Sequence, residues 1–300
     1  MERKCVPAGI RTCGSMCRRN REESTMDNTK IDWADMSWNP VTGCRKGCEY
    51  CYAARTARRF AGYLSQGVEA RGDQRKAEIV QEVKVPNCER EGVIVLDKPL
   101  KTMTAAGRVV NAPYPFGFTP TFHRYRLGEL ARKQRPRNIF VGSMTDLFGA
   151  WVPTRWIVEV LDACLAAPQH NYLFLTKNPQ RYLELDKVAI LPRRDNFWYG
   201  TTATEEGQTY FFSDQHKTFV SVEPMTGPLH PGEDGLLTDW VIVGAETGPR
   251  KDKVVPERAW VEDLLGACRE EGVPVFMKGN LAGVWGKDLV QETPRTLRHG

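Results

Sequence analysis

No run of apolar residues in this 300-residue chain is long enough for a helix that crosses a bilayer, so membrane insertion is not expected. No secretory leader is recognisable at the start, and nine cysteines is an odd number, so a disulfide framework is not expected either. Neither sign of charge dominates: 42 Lys and Arg stand against 37 Asp and Glu. Of the +5 net charge, +3 sits in residues 1–25, which hold six basic residues and three Glu, and the body is nearly balanced. Net charge therefore argues little for a polyanionic partner. The G-x-G-x-x-G turn of dinucleotide folds and the G-x4-G-K-[ST] phosphate loop are both missing, which disfavours nucleotide hydrolysis. With 41% hydrophobic residues, the chain has the composition of one large globular domain or two modest ones.

What the chain does have is a tight cysteine cluster. Cys44, Cys48 and Cys51 form a C-x3-C-x2-C pattern with Tyr50 just before the third cysteine. Three thiolates on one short loop can hold three irons of a four-iron cubane and leave the fourth open to a small molecule. A structural zinc site normally closes with a fourth protein ligand. No second C-x2-C pair occurs, and the other candidates (His123, His170, His216, His230 and Cys88) are scattered, so zinc fits less well.

Residues 1–28 read as a basic, disordered tail, in which Cys13 and Cys17 lack the partners of a second metal site; Met26 stands where the folded-looking segment begins. Beyond it, residues 29–300 read as a single domain. Short apolar runs at 139–141, 172–175, 197–199, 219–222, 240–243 and 273–277 look like strands buried on both faces. Amphipathic stretches at 154–167 and 257–271 look like helices, placing Cys164 and Cys268 on core stripes. The repeat predicts an α/β fold with a partial or full parallel (β/α) barrel, its crossover between 199 and 219 too short for a regular helix. Residues 64–137 are too long for one crossover and read as an insertion beside the barrel mouth. Their end, from Phe122 and His123 through Arg124, Tyr125 and Arg126 to Arg137, is basic and aromatic, as a nucleic-acid grip would be; a solvated helix would look the same. Arg55, Arg58 and Arg59 after the cysteines could extend such a surface.

A parallel barrel works at the carboxyl ends of its strands, and the positions there are polar: Ser143 and Asp146, Thr176 and Lys177, Thr202, Glu223, Glu246 and Lys278.

The cysteine segment resembles the signature of the radical S-adenosylmethionine superfamily. The blocks Ile31–Asp35, Ser37–Cys44, Tyr114–Phe118, Ser143–Phe148, Leu175–Pro179, Ser221–Pro224 and Asp239–Gly248 are similar to those of an uncharacterised family of that type, frequent in phages and prophages, over about Thr29 to Glu292. The resemblance implies a barrel of the radical-enzyme type, a [4Fe-4S] cluster on Cys44, Cys48 and Cys51, and S-adenosylmethionine bound at the open iron with Tyr50 against the adenine. Ser143, Asp146, Thr202, Glu223 and Glu246 are then the candidates for the cofactor's polar groups, and His123 and Lys278 the weaker candidates for substrate contact. It implies no substrate.

The expected activity is reductive cleavage of S-adenosylmethionine to a 5′-deoxyadenosyl radical acting on a nucleic acid or nucleotide. A peptide or metabolite substrate, or a non-catalytic iron–sulfur or zinc module, are the alternatives. The expected partners are an external flavodoxin- or ferredoxin-like electron donor and a nucleic acid, with no membrane; the expected setting is the reducing cytoplasm.

Overall fold

The computed structural model describes residues 27–29, 31–64, 93–230 and 235–297. The expectations for the basic tail up to residue 26, for Cys13 and Cys17, for Cys88, and for the 65–92 part of the insertion lie outside the described residues.

In chain order the elements are β1 (Asp27–Asn28), β2 (Met36–Trp38), β3 (Val41–Thr42), α1 (Tyr52–Arg59), β4 (Ile94–Leu96), β5 (Lys101–Met103), β6 (Val109–Asn111) and β7 (Thr121–His123). There follow β8 (Asn138–Val141), α2 (Thr154–Leu165), β9 (Asn171–Thr176), α3 (Pro179–Lys187), β10 (Phe197–Thr202), β11 (Lys217–Val222), β12 (Val241–Val243), α4 (Arg258–Glu270), β13 (Val275–Met277) and α5 (Ala282–Trp285). Seven strands, in the order β2-β8-β9-β10-β11-β12-β13, form a curled parallel sheet, a half-barrel flanked by helices, and β1 adds an antiparallel edge to β2. From β8 onward each strand of this sheet neighbours the next in sequence, as the spacing of apolar runs predicts. The helices fall where the amphipathic stripes place them. Trp156, Ile157, Val160, Leu161 and Cys164 of α2 are buried, as are Val261, Leu264, Leu265 and Cys268 of α4. No helix joins β10 to β11, in keeping with that short crossover.

Two-residue alternation sorts the strand side chains between the two faces. Ile139 and Val141, Tyr172 and Phe174, and Phe197 and Tyr199 pack outward under α2 and α3, while Val220, Val222, Val241, Val243, Val275 and Met277 pack with the α4 side chains. The inward set is aromatic: Phe140, Trp198, Phe219, Trp240 and Phe276 close around Trp33, with Leu173 and Leu297. This plug fills the lower half of the concave face. Gly200 makes room for it, since a Cβ there would run into the ring of Phe219, its partner across the β10–β11 ladder.

The described part of the 64–137 segment is a small second layer. β7 pairs with β3 and β4, β5 and β6 form a hairpin, and a 3-10 helix, Arg124–Arg132, packs on α2. Because β3 leads straight into the cysteine loop, this layer fixes where that loop begins.

Candidate functional site

A chamber of about 250 Å³ opens at the carboxyl ends of the parallel strands. Its walls continue the inward side-chain set past the plug: Leu175 and Lys177, Thr202, Ser221 and Glu223, Glu246, and Lys278 all line it, above a floor that includes Trp33 and Phe140. Cys44, Cys48, Cys51, Tyr50, Ser143 and Asp146 line the same chamber. Every site residue expected from the sequence therefore converges here except His123.

The cysteine loop is seated by backbone pairing. Gly43 N–H donates to Met144 O (2.9 Å), Cys44 N–H to Phe118 O (3.2 Å), and the Thr145 hydroxyl to Gly43 O (2.7 Å). Gly43 adopts φ +87°, and a Cβ there would collide with the Thr119 backbone, so this seat requires glycine. Two of the thiols accept backbone hydrogen bonds: Cys44 Sγ from Lys46 N–H (3.4 Å), and Cys51 Sγ, as the cap of α1, from Ala54 N–H (3.3 Å). Burial, opposed by that Lys46 bond, pushes the Cys44 thiol up to about 11.

Tyr50 is clamped from across the chamber. Lys177 Nζ donates to Tyr50 Oη (3.1 Å) and lies 5.2 Å from the ring centroid. Burial, followed by the neighbouring Cys48, pushes the Tyr50 phenol up to about 12. Burial also lowers the Lys177 ammonium from its ordinary value, so a positive charge is held here at a desolvation cost.

Asp146 is a tie between strand ends. Its Oδ1 accepts from the Thr176 hydroxyl (2.6 Å) and Phe148 N–H (3.2 Å), and its Oδ2 from Lys177 N–H (3.0 Å). Burial raises its pKa and these three bonds work against the rise. Glu246 meets Arg250 through two bonds, 2.9 and 2.7 Å, and that guanidinium holds its carboxyl below the usual range. Arg250 also reaches Glu49 at 3.4 Å, linking the loop after β12 to the cysteine loop. Lys278 Nζ meets Glu223 Oε1 at 2.5 Å, and the Glu223–Pro224 peptide beside it is cis.

Several contributors had weak signals in the sequence. Asn39 Oδ1 accepts from Met144 N–H (2.9 Å) and the Ser143 hydroxyl (3.2 Å), so it shapes the turn after β8. Asn280 exchanges two bonds with Ala245 and holds the turn that leads to Glu246. Tyr52 donates to Ser143 O (2.6 Å) at the mouth. Trp33 lines the floor with no hydrogen-bond partner on its Nε1. The block Ile31–Asp35 singled out Trp33 without a role, and Asn39 could be found only through its contacts.

His123 lies elsewhere. It is fully buried, with Nε2 2.9 Å from the Thr42 hydroxyl and Nδ1 3.3 Å from Tyr125 Oη, and no part of it reaches the chamber. The first part of the basic aromatic run, Phe122 to Arg126, is also spent on structure, while Arg132 and Arg135 farther along are exposed. Phe122 and Arg126 are buried, Arg126 donates to Asn39 O (2.7 Å), and Arg124 pairs with Asp97 and Glu159 at 2.8 Å each. These rings and guanidinium groups do not form the exposed grip that the sequence suggested.

A family model described as a protein of unknown function (DUF5131) matches residues 28–297. No curated protein and no solved structure matches the chain. The resemblance to the radical S-adenosylmethionine superfamily is corrected by these findings: the family matched is one of unknown function, and no family model of that superfamily matches. Among the described residues no three or more His, Cys, Asp or Glu are grouped to hold a metal ion, so Cys44, Cys48 and Cys51 share a wall without closing on one point. Cysteine spacing alone does not assign the superfamily.

Proposed function

We propose for this chain, which belongs to the DUF5131 family of proteins of unknown function, that the chamber is the active site of an enzyme using a [4Fe-4S] cluster and S-adenosylmethionine. What supports this reading is one observation: three thiols of a single loop line the same chamber as a clamped aromatic ring and a rim of carboxylates, ammonium groups and hydroxyls. No histidine and no fourth cysteine lines it among the described residues, which suits a cluster with one iron left for a small molecule. Two thiols already accept backbone N–H bonds, as cluster sulfurs do. Gly47, at φ +75° with no atom within 4 Å of a Cβ position, gives the loop room to draw its thiols together.

When bound, the two groups supply reductive cleavage of the sulfonium, at the cost of one electron from an external low-potential donor, to methionine and a carbon radical that abstracts hydrogen from a substrate. The chain's own residues bind and orient. Cys44, Cys48 and Cys51 would hold the cluster's irons. Tyr50, held by Lys177, offers a flat face to the adenine. With the cofactor bound, Thr202 and Glu246 would be the partners for its ribose hydroxyls, and Ser143 and Glu223 for its methionyl end. Asp146, with its acceptors occupied, positions the Thr176–Lys177 turn, and Lys278 holds the Glu223 carboxylate in place through their contact. The plug below excludes water from the lower half of the concave face.

Anaerobic reconstitution, dithionite reduction and chromatography for 5′-deoxyadenosine test this. Formation of the product by the native chain, falling to background in Cys48→Ala, is expected. A native chain that loads about four irons yet forms none, with or without added DNA or RNA, sinks the reading.

A further inference from the structure

We infer that α1 and the chamber rim beside it form a binding surface for a single strand of nucleic acid, which delivers one base to the chamber. As a statement about substrate this rests on the function proposed above; as a binding surface it stands alone.

Helix α1 carries three arginines in eight residues and no acidic residue. Its apolar side, Ala53 and Ala57, packs against Met144, which leaves Arg55, Arg58 and Arg59 on the exposed side. The helix starts at the chamber mouth, where Cys51 caps it and Tyr52 both lines the chamber and stands 47% exposed. Tyr52, Arg55 and Arg59 fall at i, i+3 and i+7, so one stripe runs outward from the mouth. Two arginines four positions apart are separated by about 6 Å along the axis, a spacing at which they can engage successive phosphates of a strand.

A ring stands at each end of this path, with the three arginines between. Phe60, 50% exposed, ends the helix with the Arg59 guanidinium 5.3 Å from its ring centroid. Exposed rings beside guanidinium groups suit bases and phosphates together; an acidic protein surface would need the cations and leave the rings unused. The rim beyond the helix is mixed in charge, with Lys177 and Lys278 standing beside Asp146, Glu223 and Glu246. Lys46 lines the chamber, and Lys253 and Arg55 both act on Glu246. Arg58 makes no hydrogen bond or ion pair among the described residues, and Arg59 only its contact with Phe60. The chamber beyond has Trp33 and Phe140 in its floor. A planar group that has left its stack fits such a floor, whereas a paired base in a duplex does not reach it.

The test needs neither cluster nor cofactor. Full-length protein is titrated into fluorescein-labelled single-stranded DNA and RNA of about 20 nucleotides, a length that covers an ordinary strand-binding site of ~4–16 nucleotides, at two salt concentrations. Tight, salt-sensitive binding is expected. Arg58→Glu with Arg59→Glu should weaken it at least about tenfold and flatten the salt slope by ~1.4, the value for two lost phosphate contacts at ~0.7 each. Phe60→Ala should weaken it about tenfold, within the usual range for a lost stacking contact, and Lys187→Glu, on exposed α3, should leave it unchanged. Circular dichroism establishes that each variant is folded. Absence of binding, equal loss in Lys187→Glu, or equally tight binding of a labelled poly-glutamate peptide overturns the inference, the last in favour of an acidic protein partner. A chain that binds the strand and forms no 5′-deoxyadenosine refutes the proposed chemistry while leaving this surface intact.

Discussion

Gly200 shows how much of the interior hangs on one missing side chain. It sits in the middle of β10 opposite Phe219 of β11, and a Cβ there would meet three carbons of that buried ring. The ring cannot swing away, because Trp33 and Trp240 lie about it at centroid distances of 6.0 and 5.9 Å. Gly200→Ala is therefore an overpacking change and should cost about 1–3 kcal/mol, read as a fall in melting temperature of roughly 2–4 °C per kcal/mol in a chain of this size. Gly200→Ala combined with Phe219→Leu should recover part of the loss; a single variant that melts with the native chain would show that the ring has room to move. Glycine inside an apolar run is legible in sequence only as a weak point, since the run does not say which ring needs the space. Single polar residues divide in the same way. Ser143, Glu223 and Glu246 were visible because they follow strands directly, while Asn39 acts through a carbonyl that only the folded turn brings to Met144 N–H.

The elements were more legible than their faces. Apolar runs locate the parallel strands because those strands are buried on both sides, and for the same reason they conceal which residues look inward. The basic aromatic run misled for a related physical reason: charge in a sequence does not tell whether a neighbouring strand supplies a partner. β7 and the helix after it use their polar groups to dock on β3, with His123 against Thr42 and Arg126 on the carbonyl of Asn39. Burial, with the Arg126 charge second, lowers the His123 pKa well below 6.5, so the folded protein holds this ring neutral. Below the ordinary value the unfolded chain takes up a proton that the folded chain refuses, so stability is full above about pH 6.5 and declines as pH falls. Urea midpoints at pH 7.5 and 5.5 should show that decline, and His123→Gln, though weaker at pH 7.5, should show a shallower one. His170, whose pKa burial also lowers, leaves a residual slope. An unaltered pH slope in His123→Gln would place the proton uptake elsewhere.

Across the whole molecule, the question is how a half-barrel keeps its open side from fraying, since an edge strand has unpaired backbone and the plug must be covered. The chain after β13 answers it in two steps. Residues 290–292 run back along the β13 edge, where Met277 N–H donates to Val290 O (2.7 Å) and Glu292 N–H to Val275 O (2.8 Å). The 3-10 turn Arg295–Leu297 then crosses to the other side of the gap. Leu297 enters the aromatic plug, its carbonyl accepts from Asn138 Nδ2 (2.7 Å), and the Thr296 carbonyl accepts from Asn171 Nδ2 (3.2 Å). Near the mouth, Asp32 Oδ2 accepts from Gly279 N–H (2.9 Å), so the gap is bridged at that level too. Chamber and closure are thus coupled: the floor residue Trp33 packs against the plug that Leu297 completes. Ending the chain after Thr293 removes a buried leucine, worth about 2–5 kcal/mol with its cavity, and leaves the amides of Asn138 and Asn171 short of partners. The truncated chain should melt well below the native one and show faster hydrogen exchange in β2 and β8, while β10 and β11, on the far side of the sheet, stay protected. Leu297→Ala should reproduce the loss of stability with less effect on exchange, because it keeps both carbonyl acceptors. If truncation leaves melting and exchange unchanged, the half-barrel is stable without its closing segment and the coupling to the chamber floor is absent.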